Sequence, residues 1–228
     1  MDVYRIKKII ANCLGVGILK QEALLRQALK EEGLNYRNFT IDIDHVNGTN
    51  HVNGFTFPII YPISFFKKSE RLHSSKKKYK FYFNGNMSSA GGRQDSLRPF
   101  DKRNSRIIES NEGRSRYRRK SYYNKKYFLG LADAEFGLCP HQKDFVGNRD
   151  TMWTYRFIEC CMTKTMPVVF NDSPLGKDFC SDFDLITDEE ALNNDVIYDP
   201  NLADNNFKKC LAKFSLTESY LNKIKSSI

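Results

Sequence analysis

The stretch from Phe136 to Asp172 contains the residues best suited to chemistry. Two short apolar runs, 136–139 and 166–170, flank a polar loop and a segment with helical spacing. Arg156 and Glu159 lie three residues apart in that segment, which places them on the same side of a helix. An arginine can bind two phosphate oxygens at once, and a carboxylate can accept hydrogen bonds from the hydroxyls of a ribose. The pattern predicts a nucleotide site built from a strand, a loop and a helix.

The elements that would position this pair follow from local signals. The helix is predicted to begin at Asp150 or Thr151, either of which can cap it, and to end near Thr163. The loop before it contains Lys143 and Arg149, so a helix N-terminus and cations would meet at the carboxyl end of a strand. A simpler interpretation stays open, because the pair could form an ordinary ion pair on a solvated helix face, worth ~0.2–0.5 kcal/mol.

Three motifs in order resemble the donor-binding core of exostosin-type glycosyltransferases: Cys139-Pro140, Tyr155-Arg156 with Glu159, and Pro167-Val168-Val169. Fucosyltransferases of the GT-B fold have a related helix and strand. The resemblance implies an α/β protein with two Rossmann-like halves in a compact GT-B-like arrangement, with parallel sheets flanked by helices. It also implies a nucleoside-diphosphate sugar as donor, a carbohydrate or other hydroxyl acceptor, and inversion at the anomeric carbon.

The same resemblance divides the chain into a reduced acceptor half, residues 1–75, and a donor-binding half, residues 76–228. In it, the apolar run 79–84 is the first strand of the donor half, and an arginine after the following Gly/Ser loop contacts the diphosphate. Arg93 and Arg98 both qualify, although either could instead belong to a basic surface. Arg149, Thr154 and Arg156 complete the predicted diphosphate contacts, and Glu159 is predicted to bind the ribose. The loop lacks the Lys-Ser/Thr ending of a Walker motif, which disfavours an ATPase.

The first part of the chain reads as a βαβ unit. Apolar residues 3–11, a helical stripe in LKQEALLRQALKEEG and the run 37–43 would form strand, helix and strand. Asp44 follows that second strand and is nominated as the base that takes a proton from the acceptor hydroxyl. The alternative is a turn, since the surrounding DHVNGTNHVNG is rich in turn-forming residues.

The charge is unevenly distributed. The chain has a formal net charge of +9, yet residues 67–126 contain nineteen Lys or Arg and only five Asp or Glu. In RSRYRRKSYYNKK the cations alternate with Tyr117, Tyr122 and Tyr123, a pattern that also serves single-stranded nucleic acids. A helix with inward-facing tyrosines is the favoured interpretation, which leaves a nucleic-acid-binding module as the second function. A sulfotransferase or a nucleotide-binding regulator would use the same phosphate sites and is a third.

Composition sets further expectations. No apolar run approaches ~20 residues, so a membrane span is not expected. The six cysteines show no CxxC and no metal spacing, which favours buried, reduced thiols and a cytoplasmic protein of microbial or viral origin. The triplets 42–44 and 182–184 match a DxD signature for a divalent cation, but such triplets often arise by chance, so no metal and no cofactor apart from the donor substrate are expected. Because the acceptor half is short for a GT-B enzyme, a partner domain or a second copy of the chain is a further expectation.

Overall fold

The protein is described from a computed structural model that covers residues 20–35, 37, 39–44, 48–73, 76–85, 87, 93–109, 123–140, 155–171 and 181–227. The fold is α/β. By compactness the chain divides into two units, Met1–Phe65 together with Ala212–Ile228, and Phe66–Leu211. The assignment of an acceptor half and a donor half stays a prediction.

The helices and strands follow in chain order. The helices are α1 (Lys20–Glu31), α2 (Ile63–Glu70), α3 (Arg93–Leu97), α4 (Lys125–Ala132), α5 (Tyr155–Met162), α6 (Asp188–Asn193), α7 (Pro200–Phe214) and α8 (Glu218–Lys225), with a 3-10 turn at Arg98–Phe100. The strands are β1 (Ile41–Asp44), β2 (Thr49–Val52), β3 (Phe55–Pro58), β4 (Tyr79–Gly85), β5 (Ser105–Glu109), β6 (Ala134–Cys139), β7 (Met166–Val169) and β8 (Ile186–Thr187).

The unit formed by residues 66–211 contains a five-stranded sheet with all pairs parallel. Its order is β5-β4-β6-β7-β8, so the chain starts inside the sheet at β4, steps to one edge and then returns past its start. This is one of the common orders of doubly wound α/β sheets, and helices flank it. The sheet is compatible with a Rossmann-like fold, as predicted for the later part of the chain.

Alternation along the strands gives the sheet two buried faces. One face carries Phe81 and Phe83 of β4 and packs against α3, the 3-10 turn, α6 and α7. Its buried cluster consists of Phe81, Phe83, Leu97, Phe100, Phe136, Leu138, Met166, Val168, Phe170, Ala191 and Ala203. The other face carries Tyr82 and Gly137, which lie against α4 and α5. A side chain at position 137 would collide with the Cys160 thiol, so this glycine allows α5 to approach the sheet closely.

The C-terminus of α5 has a recognisable stop signal. Lys164 adopts a positive φ of 53°, the amide of Thr165 donates to the Cys160 carbonyl at 3.0 Å, and that of Lys164 donates to the Cys161 carbonyl at 3.2 Å. These are the two bonds of a Schellman motif. The helix therefore ends within a residue of the predicted Thr163.

The other unit contains a three-stranded antiparallel sheet in the order β1-β2-β3. The predicted strand at 37–43 is present as β1, but its described partner is antiparallel. Residues 3–11, which would supply the parallel partner of a βαβ unit, lie outside the described part, so the two-half GT-B arrangement stays a prediction.

Residues from the C-terminal part of the chain complete the core of this antiparallel unit. The Tyr61 amide donates to the Phe214 carbonyl at 2.7 Å. The ring of Tyr220 stacks on Phe57 at a centroid distance of 5.3 Å, and Ile224 is fully buried among the residues of α1 and the sheet. The unit is therefore assembled from two segments that are far apart in sequence.

The sequence patterns also predict a helix or loop at 98–109, a linker at 67–80 and a single closing helix at 205–225, and the structure differs from each prediction. Residues 98–109 were expected to be helical or loop-like, but the second part forms β5, an edge strand. The expected linker at 67–80 begins as helix, because α2 continues through Glu70. The single closing helix expected at 205–225 is two helices, since Thr217 caps a new one at the amide of Tyr220.

Candidate functional site

The carboxyl ends of β4 and β6 form the natural place for a ligand. These strands are neighbours in the sheet, but the chain leaves β4 towards β5 on one edge and leaves β6 towards β7 on the other. The connections therefore diverge, and doubly wound proteins bind their ligands at such a point of divergence. β4 ends at Gly85, and β6 ends at Cys139.

Arg156, in the first turn of α5, extends to the carboxyl end of β4. Its Nη2 atom donates to the carbonyl oxygen of Asn84 at 3.0 Å, and its guanidinium carbon lies 4.1 Å from the centre of the Phe83 ring. The helix packs on the Gly137 face of the sheet, whereas Phe83 belongs to the opposite face. The side chain therefore passes over the end of the sheet at the β4 strand.

The guanidinium of Arg156 is completely buried, with no exposed surface. Its Nε and Nη1 atoms have no hydrogen-bond acceptor among the described residues. A buried cation without a counter-charge costs several kcal/mol, so proteins normally provide a carboxylate or reserve the place for an anion. The arrangement can bind oxyanions through two nitrogens that point at no other acceptor in the described structure.

Glu159 lies one turn further along α5 and is also completely buried. Its Oε2 atom accepts a hydrogen bond from the Tyr127 hydroxyl of α4 at 2.7 Å. Hydrogen bonds to an ionised carboxylate are short and about twice as strong as neutral ones. Tyr127 therefore fixes the direction of the carboxylate, a role that nothing in the sequence around it indicated.

The structure corrects one sequence interpretation of Arg156 and Glu159, the ion pair on a solvated helix face. They do not lie on a solvated face, because every residue of α5 after Tyr155 is buried. The acceptor recorded for Arg156 is the Asn84 carbonyl and not the Glu159 carboxylate. Periodicity separated an apolar and a polar side of the helix, but α5 is covered by β6, β7 and α4 together, so its polar side is enclosed as well.

The other predicted donor-binding residues are distributed differently. Arg93 is the half-buried first residue of α3, on the connection that leaves the end of β4, whereas Arg98 is exposed in the 3-10 turn. Arg149 and Thr154 lie outside the described residues. Asp44, the nominated base, is the last residue of β1 in the antiparallel unit, opposite Thr49.

Sequence reasoning also missed Asn84, whose carbonyl accepts from Arg156 and whose side-chain Oδ1 is buried without a partner among the described residues. Its position is the sequence signal that could have identified it, because Asn84 is the last polar residue before the Gly/Ser loop and lies next to the end of β4. Gly85 follows it, and a Cβ atom at this position would collide with Nη2 of Arg156. The glycine that ends β4 therefore leaves room for the arginine.

The cysteines near the site are thiols, as expected from the sequence. The described cysteines Cys139, Cys160, Cys161 and Cys210 are all buried and free. The Sγ atoms of Cys139 and Cys160 lie 3.9 Å apart, beyond bonding distance. Burial raises the pKa of both Cys160 and Cys161, so these thiols stay protonated and pack as apolar groups.

A second polar network lies at the amino ends of the strands. Lys77 donates to the carbonyls of Ala132 at 2.9 Å and Lys164 at 3.1 Å, and it lies 5.0 Å from the centre of the Tyr198 ring. Burial lowers the pKa of Lys77 to about 8, against the raising effect of Asp133. This lysine joins the starts of β4, β6 and β7 and contacts neither Arg156 nor Glu159.

Comparisons of the chain with protein-family models, with curated proteins and with solved structures found no match. The candidate site consequently rests on its own geometry.

Two further findings concern ligand and partner classes. Within the described ranges, no three His, Cys, Asp or Glu side chains come together as metal ligands, and none of the helices has the length and apolar character needed to cross a bilayer.

Tyr123, one of the rings predicted for base stacking, is buried and stacks on Phe128 at 4.4 Å. That ring is therefore occupied, as the inward-facing interpretation requires.

Proposed function

We propose that this chain is a glycosyltransferase that binds the diphosphate of a nucleoside-diphosphate sugar at the carboxyl ends of β4 and β6. The observation that supports the proposal is the buried Arg156 guanidinium, whose Nε and Nη1 atoms have no acceptor among the described residues. A diphosphate supplies both the negative charge and the acceptor oxygens that this group lacks.

The strand order supports the location. The connections after β4 and β6 diverge where Arg156 crosses the end of the sheet, and doubly wound proteins bind their ligands at such a point. A cation held there by Asn84 and Phe83 would stabilise the charge that develops on a leaving diphosphate, without a metal.

The assignment of sugar transfer depends on the motif resemblance. In this proposal Glu159 faces the ribose of the donor, and the Tyr127 hydroxyl holds its carboxylate. A carboxylate offers about four lone-pair positions, so one bond from Tyr127 is compatible with further bonds from ribose hydroxyls. Arg93 would approach the diphosphate from the other connection, and Asp44 would act as the base in an inverting displacement.

A ligand panel tests the donor site. Purified protein would be heated with UDP, GDP, ADP or CMP, with the corresponding nucleotide sugars and with a short oligonucleotide. Stabilisation grows as RT ln(1 + [L]/Kd), so a ligand at 1,000 times its Kd adds about 4 kcal/mol. We expect one nucleoside diphosphate to stabilise the protein, and we expect Arg156→Met to abolish that effect.

The activity is then tested by incubating the protein with the stabilising nucleotide sugar and following release of the nucleoside diphosphate. Glu159→Ala should reduce both the binding of the nucleotide sugar and the release of the nucleoside diphosphate. If no nucleotide stabilises the wild-type protein while the oligonucleotide does so in a salt-sensitive manner, the transferase proposal is wrong and nucleic-acid binding replaces it.

A further inference from the structure

Two residues with unpartnered buried polar atoms meet at the end of β4. Arg156 has its Nε and Nη1 atoms without an acceptor, and Asn84 has its side-chain Oδ1 atom without a donor, among the described residues. They are in direct contact, because Nη2 of Arg156 donates to the backbone carbonyl of Asn84. Buried polar atoms in folded proteins nearly always have partners, so an adjacent group of exceptions calls for an explanation.

The hydrogen-bond partner of the Asn84 amide determines whether its oxygen or its nitrogen is available to a ligand. Its Nδ2 atom lies 3.3 Å from the hydroxyl oxygen of Tyr82, which is the contact recorded for that hydroxyl among the described residues. The oxygen and nitrogen of an amide have nearly the same size, so the orientation of the group follows from its hydrogen bonds. Burial raises the pKa of Tyr82, and its hydroxyl therefore keeps a proton that needs an acceptor.

If the amide is turned so that Oδ1 of Asn84 faces Tyr82, the proton of the tyrosine hydroxyl gains an acceptor. The hydroxyl then donates to the amide oxygen, and the Asn84 amide nitrogen takes the buried position that has no partner. The unpartnered atoms at the end of β4 are then donors only, one from the amide and two from the guanidinium. A group of donors without acceptors is complementary to an oxyanion.

We propose that Asn84 is a second ligand-binding residue, whose amide nitrogen donates to a phosphate oxygen and whose orientation is set by the hydroxyl of Tyr82. This inference rests on the proposed function and deepens it, because it assigns a neutral donor to the same ligand.

The positions of Asn84 and Arg156 at the end of β4 also bear on the size of the ligand. Asn84 shares the Tyr82 face of β4, whereas the guanidinium of Arg156 lies beside Phe83 and Gly85, which alternate to the opposite face. A group that contacts both must lie across the strand end. We therefore expect a diphosphate, which has two anionic groups, to bind here more tightly than a single phosphate does.

Calorimetric titration with inorganic pyrophosphate, orthophosphate, UDP, GDP and ADP tests the proposal. We expect pyrophosphate to bind more tightly than orthophosphate. Asn84→Ala should weaken pyrophosphate binding about tenfold, the effect of one hydrogen bond to a charged group. Asn84→Asp has the same shape but presents a carboxylate to the anion, so it should weaken binding more than Asn84→Ala does.

Two further variants provide the controls. Tyr82→Phe removes only the orienting hydroxyl and should weaken binding several-fold, and it keeps the test valid if the Asn84 variants fold poorly. Asn50→Ala is the matched control, because Asn50 is a buried asparagine of β2 whose Oδ1 also lacks a partner in the described residues. It lies in the antiparallel unit and should leave binding unchanged.

The outcomes separate this inference from the function on which it rests. If the wild-type protein binds neither pyrophosphate nor any nucleotide, the proposed function fails. If Arg156→Met abolishes binding while all Asn84 and Tyr82 variants bind like wild type, only the assignment of Asn84 fails. If Asn84→Asp binds as well as wild type or better, the oxygen of Asn84 faces the ligand, and the donor role is overturned.

Discussion

The Nη2 atom of Arg156 occupies the space that a side chain at position 85 would need. Gly85 is therefore required for the arginine to reach the end of β4. The two positions are coupled although 71 positions separate them in the sequence. The arginine can occupy this place only because residue 85 is glycine.

This coupling can be measured with Gly85→Ala. The added methyl group should displace Arg156 and lower the free energy of unfolding by about 1–3 kcal/mol, as overpacking of a core does. Urea unfolding of the two single variants and of the Gly85→Ala, Arg156→Ala double variant gives the coupling free energy. In the absence of the arginine the alanine should cost little, so equal costs in both backgrounds would contradict the coupling.

Arg156→Met tests whether the arginine serves ligand binding rather than folding. Since no ion pair of Arg156 is recorded among the described residues, removal of its buried charge should raise the unfolding free energy of the ligand-free protein by about 1–3 kcal/mol. Arg26→Met is the matched control, because Arg26 is also buried but donates to Glu22 at 3.1 Å. There the substitution leaves a carboxylate uncompensated and should cost about 3–5 kcal/mol. A similar loss in Arg156→Met would assign that arginine to stability.

Tyr127→Phe should destabilise the protein by about 1.5–3 kcal/mol, because the buried carboxylate of Glu159 loses a hydrogen bond. In a Glu159→Gln background the same change should cost about 1 kcal/mol, the value of a neutral bond. Tyr198→Phe offers a comparison, since the Tyr198 hydroxyl donates to the neutral Lys164 carbonyl at 2.8 Å. If Tyr127→Phe costs no more than Tyr198→Phe, the charge-assisted character of the bond is refuted.

The lowered pKa of Lys77 predicts how stability varies with pH. Between about pH 8, its folded value, and 10.5, its ordinary value, the unfolded chain binds a proton that the folded protein does not. The contribution of Lys77 to the unfolding free energy therefore rises with pH in this window and is lost as pH falls through 8. Above pH 10 the buried Tyr123 and the partly buried Tyr198, with pKa values raised to about 12, act in the opposite direction.

Urea titrations between pH 7 and pH 10 measure this effect. Lys77→Met should show a smaller rise of unfolding free energy with pH than the wild-type protein does. Lys76→Met changes an exposed neighbour and should follow the wild-type curve. Parallel curves for Lys77→Met and wild type would show that burial does not shift the titration of Lys77.

The central strands could be predicted from the sequence because each is a short apolar run with clear ends. Pro140 closes β6, and turn residues follow β7 at Asn171. β5 escaped prediction because it is an edge strand, where Arg106 and Glu109 are exposed and the apolar signal is short. An edge strand tolerates charges that a central strand excludes.

The sequence indicated two residues of the candidate site but not their partners. Arg156 and Glu159 were selected from their types and spacing, but their partners Asn84 and Tyr127 belong to other elements. Helical periodicity describes one helix, and it contains no information on whether a second layer covers the polar side. Glu159 meets Tyr127 of α4, and Arg156 meets the end of β4, so the environment of each depends on an element outside α5.

The antiparallel unit takes part of its core from α8, which is encoded more than 150 residues after β3. A ribosome makes the chain from its N-terminus, so β1 to β3 exist for most of synthesis without the side chains of Tyr220 and Ile224 that cover them. The parallel sheet, in contrast, has all its strands once residue 187 has emerged. The two units therefore complete their cores in the reverse of the order in which their first strands are made. The segment that is synthesised first is the last to obtain all of its core residues.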